Sequence, residues 1–237
     1  MIGADGGLFS NGCATSPSVS RGGPLILTLL LFTAIVATAG LAWGQESERP
    51  SDPSSTTSEH RKASGLGRFL SGAALGLGAH EGGHLLFDGW FKAEPGIRKV
   101  SLHGLPFFAI THKSGLSPRR EFVIDSAGFW VQEATSELIL SRRPNLRRER
   151  APFVKGVFAF NVATSIGYAG AAIARSGPFE RDTRGMADSL RWKEPYVGLL
   201  ILVPAALDGW RFFHPGAKWA AWGSRAAKLG GVALIAR

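Results

Sequence analysis

Between Phe153 and Ala174 the chain reads FVKGVFAFNVATSIGYAGAAIA, 22 residues with one charge, Lys155, near the start. A run this long and apolar has two fates: it crosses a bilayer, which takes about 20 residues, or it fills a helical core. Tyr196 to Phe213, YVGLLILVPAALDGWRFF, is a second such run, with Asp208 and Arg211 late in it. Leu66 to Phe91 is a third and holds seven glycines. In a water-exposed helix each would cost about 1 kcal/mol against alanine. Between packed or membrane helices, small residues let backbones approach closely, and that is the expectation for this segment.

Two further segments complete a helical chain. Phe122 to Leu140 reads as a helix with Asp125, Glu133 and Glu137 in its body. From Ala217 the tail sets Trp219, Trp222, Ala226, Leu229 and Ala233 on one helical stripe, with Lys218, Arg225 and Lys228 off it. That pattern suits a helix at a membrane interface or on the outside of a bundle. Ile97 to His112 has β-type residues around Gly104 and Pro106, and predicts a strand or hairpin. The fold class is therefore mainly α: a multi-helix membrane bundle with a small β-hairpin element after the first core helix.

The front of the chain reads as targeting. Pro24 to Trp43 is uncharged, and Ala42-Trp43-Gly44 precedes polar Gln45, so residues 1–44 are a signal peptide or a retained N-terminal anchor. Residues 45–64, rich in Ser and Pro, read as a disordered polar linker, which leaves 65–237 as the membrane-embedded domain. Localisation follows as a bacterial-type inner membrane or the exported space. The one cysteine, Cys13, excludes a disulfide framework. A net charge of +9 calls for an anionic surface. Because the arginines lie between apolar segments, membrane lipids are the expected partner and nucleic acid is not. Five arginines crowd residues 142–150, a short basic loop of the kind that stays cytoplasmic. With the 45–64 linker outside, this placement conflicts with a spanning 122–140, so that segment is expected to be re-entrant or packed inside the protein.

The chemistry is concentrated at His80-Glu81-Gly82-Gly83-His84, an HExxH sequence within a helical run. Residues i and i+4 share a face, so both imidazoles can bind one Zn2+ at about 2.0–2.1 Å. Glu81, one position round, is placed to act as catalytic base on a zinc-activated water. Two regions compete to supply the third protein ligand. Asp208, in Leu207-Asp208-Gly209, lies four residues after Pro204, which loosens the helix there, and a carboxylate at that depth wants a cation. Its plainer role is an ion pair with Arg211. Glu133, in the Gln132-to-Glu137 stretch, is the alternative metal ligand; the plainer role of Glu133 and Glu137 is a polar helix face.

HEGGH in one apolar helix and Leu-Asp-Gly in a later one resemble the site-2 protease family of intramembrane zinc metalloproteases. The resemblance spans residues 66–213 and rests on those two motifs. It implies His80, His84 and Asp208 as zinc ligands, Glu81 as base and a protein or peptide substrate cleaved within or next to the membrane. It also implies a sheet-like element that pairs with extended substrate, for which 97–112 is a loose match. The family's Asn and closely spaced prolines before LDG are absent. The Gln132-to-Glu137 stretch resembles instead the thermolysin-like arrangement, which implies Glu133 as ligand in an exported aqueous protease. A third possibility is a non-enzymatic membrane protein with a structural metal site. Asp88, four residues past His84, is a candidate partner of an imidazole. Asn161 and His112 are candidate substrate contacts.

Overall fold

The computed structural model describes residues 56–235 apart from 103, 104 and 114. The expected leader (1–44) and the start of the linker lie outside these residues. Helix α1 (Thr56–Phe91) is followed by strands β1 (Gly96–Leu102) and β2 (Leu105–Thr111), then α2 (Pro118–Arg142). A short 3-10 turn (Leu146–Arg148) leads into α3 (Pro152–Ala174), α4 (Asp182–Leu190), α5 (Glu194–Phe213) and α6 (Lys218–Ile235). The protein is thus mainly helical, with one small sheet.

Three helix starts are set by proline. Pro118, Pro152 and Pro195 sit in the first turns of α2, α3 and α5, where the missing N–H has no helical partner to lose. The hairpin is antiparallel, with Gly96 opposite Thr111 and Leu102 opposite Leu105, as the β-type residues of 97–112 predict. Helix α1 is described from Thr56 onward, so residues 56–64, expected as linker, are helical.

The glycines of α1 serve close packing. A side chain at Gly72 would run into the Phe153 backbone carbonyl, and one at Gly156 into that of Phe69. Each helix thus presses into a gap left by the other's missing side chain. The N-terminal halves of α1 and α3 are therefore neighbours and the two run parallel, while α2 and α5 run the opposite way. Thr56 and the arginine-rich loop consequently lie at the same end of the bundle. Helix α2 is 25 residues long and runs alongside α1, with eleven buried residues, and its Asp125 and Glu137 meet partners from other elements. One apolar cluster, including Ile139, Leu146, Val154 and Phe158, closes the arginine-loop end. The other, including Phe122, Phe129, Met186, Val197 and Ile201, joins α2, α4 and α5 at the hairpin end.

Candidate metal centre

His80 and His84 lie on the inner face of α1, 2% and 5% exposed. Their Nε2 atoms approach to 3.3 Å. The Nδ1 of His84 meets the Ile124 carbonyl oxygen of α2 at 2.7 Å. A carbonyl only accepts, so Nδ1 carries the proton and the Nε2 lone pair faces His80. The ring of His80 is held edge-on by His84 and Phe129, with centroids 4.9 and 5.3 Å away. Gly128 lies directly against it: a Cβ there would be 2.5 Å from Nδ1 and 2.7 Å from Nε2 of His80.

The third group is Asp182, the first residue of α4. Its Oδ2 lies 3.4 Å from His80 Nε2 and 3.6 Å from His84 Nε2, and the three ligand atoms fall within 4.8 Å of one another. Its neighbours fix it. Arg181 grips Glu194 of α5 through Nε and Nη2, both at 2.6 Å, and Thr183 donates to the same carboxylate at 2.9 Å. The residues flanking Asp182 are thereby tied to the start of the next helix, which directs the carboxylate at the histidines. Burial opposes the charge on Asp182, but electrostatic attraction to His84 and His80 holds its carboxyl well below the usual range.

The donor set is two imidazoles and a carboxylate, with His80 Nδ1 and Asp182 Oδ2 buried and lacking a hydrogen-bond partner. Two nitrogens and an oxygen with a fourth position open is the donor chemistry of a catalytic zinc site. These residues fit such an ion. Glu81 stands next to His80 on α1, half-buried, with no salt-bridge partner among the described residues.

Asp208 is elsewhere. Its carboxylate receives Arg211 at 2.9 Å, Ser224 at 2.6 Å and Lys228 at 2.7 Å. Its depth does demand positive charge, and α5 and α6 supply it from their own side chains. The expectation of Asp208 as zinc ligand is corrected on that ground. Glu137 joins the same network, accepting from Arg211, Arg225 and Lys228. Glu133 faces a small cavity with Trp130, Met186 and Ala227, and is not in the histidine group. It is therefore not positioned as the alternative ligand.

Asn161 is buried between helices, donating to the Gln132 carbonyl and to Ser136, so it ties α3 to α2 instead of facing substrate. Asp88 is fully buried, and neither of its oxygens has a hydrogen-bond partner, an imidazole included. His112 lies 3.6 Å from Asp125 Oδ1. Of the other histidines, His214 stacks on Trp210 at a 4.1 Å centroid distance. Asp182 went unnoticed in the sequence because RDTRGMADSL sits between two apolar helices and has the composition of an ordinary solvated connection. Its one local signal is an acid opening a short helix. The chain matches no family model, no curated protein and no solved structure.

Proposed function

We propose that this protein is a zinc-dependent endopeptidase cleaving peptide bonds within or next to a membrane, with His80, His84 and Asp182 as ligands and Glu81 as base. The observation that carries the reading is the convergence of the two HExxH imidazoles with a third, independently anchored carboxylate. A zinc ion there supplies Lewis acidity toward a peptide carbonyl and a water acidic enough to attack at neutral pH. Glu81 takes the proton of the attacking water and delivers it to the departing amine. The His84–Ile124 bond and the packing of His80 against Gly128 keep both imidazoles aimed inward during that transfer. Relative to the site-2 protease resemblance, the HExxH half is kept and the third ligand moves from Asp208 to Asp182.

The membrane part of the reading rests on which side chains face outward. Helices α3 and α5 are long and apolar enough to cross a bilayer, yet only 33% and 39% of their most apolar windows are buried. On α6, Trp219, Trp222 and Leu229 are 62–70% exposed, while Lys228 and Ser224 are turned inward. A helix in water shows the reverse arrangement. The Trp219 stripe expected from the sequence is thus the outer face, as lipid contact requires.

The test is metal content and peptide cleavage by detergent-purified protein. Wild type should carry zinc, Asp182→Ala should lose it, and Asp208→Ala and Glu133→Ala should keep it. Glu81→Gln should retain metal and lose cleavage of a membrane-anchored peptide reporter. Zinc retained by Asp182→Ala, or cleavage retained by Glu81→Gln, would overturn the assignment.

A further inference from the structure

Helix α3 brings to the metal centre one polar group to which the proposed reaction gives no task. Asn161, Ser165 and Tyr168 follow one another at helical spacing on one face of α3. Asn161 and Ser165 meet Gln132 of α2, so that face turns into the bundle. Tyr168, one turn nearer the hairpin end, stands among the rings of the site. Its centroid lies 6.0 Å from that of His80 and 5.2 Å from that of Phe129, with the Phe129 contact edge-on. His80 and Phe129 are themselves 5.3 Å apart, so the three rings form one closed set.

Phenylalanine would fill the same space. What tyrosine adds is a hydroxyl, and the carboxylates that act on it are those of Asp182 and Glu81, Asp182 the more strongly. A phenol donates at neutral pH and a carboxylate only accepts. Asp182 points Oδ2 at both histidines, and that oxygen has no hydrogen-bond partner. The flanking Arg181 and Thr183 fix the backbone on either side, but their donors are engaged by Glu194 and the Pro178 carbonyl. A carboxylate that ligates through one oxygen is steadied by a donor on the other, and Tyr168 is in position to supply one.

We propose that Tyr168 is a positioning residue of the metal centre: its hydroxyl donates to the Asp182 carboxylate and keeps Oδ2 aimed at the ion bound by His80 and His84. The proposal rests on the reading above in taking these three side chains as the ligands. Four helices then share the site: α1 gives the imidazoles, α2 the Ile124 carbonyl that orients His84, α4 the carboxylate and α3 the donor that steadies it.

The test compares Tyr168→Phe with wild type as the full chain in detergent. Zinc affinity, by competition against a chelator series, should fall about 10–100-fold, the range for a lost partner of a metal ligand. The melting temperature of the metal-free protein should not change, because the ring and its contacts remain. The visible spectrum of the Co2+-loaded protein, which reports ligand geometry, should shift. Tyr196→Phe, at the chain's other tyrosine and 56% exposed, is the control and should match wild type throughout. Wild-type affinity and an unshifted spectrum in Tyr168→Phe, with zinc still lost in Asp182→Ala, would overturn the role of Tyr168 and leave the three ligands intact. A loss of affinity that comes with a lowered metal-free melting temperature would mark Tyr168 as packing only and overturn it too. Zinc held at wild-type affinity by Asp182→Ala would overturn the ligand set, and this proposal with it.

Discussion

Replacing Gly128 by alanine is the sharpest single test of whether the His80 ring is placed for metal. The new methyl would stand 2.5 Å from Nδ1, against the 3.4 Å at which ordinary contact begins, so something must move by roughly 1 Å. The ring cannot simply swing aside, because His84 and Phe129 hold it edge-on at 4.9 and 5.3 Å. Metal–ligand distances tolerate about 0.2 Å, several times less than the displacement. Zinc affinity, measured by competition against a chelator series, should therefore fall by about 10–100-fold, the range seen when support of a metal ligand is lost. The overpacking should lower stability by about 1–3 kcal/mol, so the variant should still fold. Gly170→Ala, where an added Cβ meets nothing within 4 Å, is the control and should match wild type in both assays. Wild-type zinc affinity in Gly128→Ala would refute the placement of His80 as a ligand.

Other consequences follow from the same contacts. Glu137→Gln strips one of the two carboxylates shared by Arg211, Arg225 and Lys228; because Glu137 is half-buried and Asp208 still pairs Arg211 and Lys228, unfolding in mixed micelles should show a loss of about 1–3 kcal/mol. Gly156→Leu would drive a side chain into the Phe69 backbone, separating α1 from α3; a cooperative melt unchanged from wild type would contradict the crossing.

Much of the fold is legible because its signals are local. Apolar runs, starting prolines and β-type residues at 97–112 mark the elements, and the glycines of α1 announce close contact without naming the partner. The two histidines and Glu81 are legible because helical spacing alone brings them together. The third ligand is not, because its place depends on a fold-back of the α3–α5 connection that Arg181 and Glu194 enforce over thirteen residues. Asp208 misled for an instructive reason. The demand for a cation at its depth is real, but Arg211 and Lys228 answer it, and Lys228 lies on a helix whose outward stripe drew attention away from its inner face.

That inward-facing Lys228 bears on how the chain assembles. On its own beside lipid, α6 would leave the charges of Arg225 and Lys228 without a partner. Once α2 and α5 present Glu137 and Asp208, the same two cations become the reason to enter. In the membrane setting proposed above, α6 would then be the closing stave of the bundle, docking onto the carboxylates that α2 and α5 present.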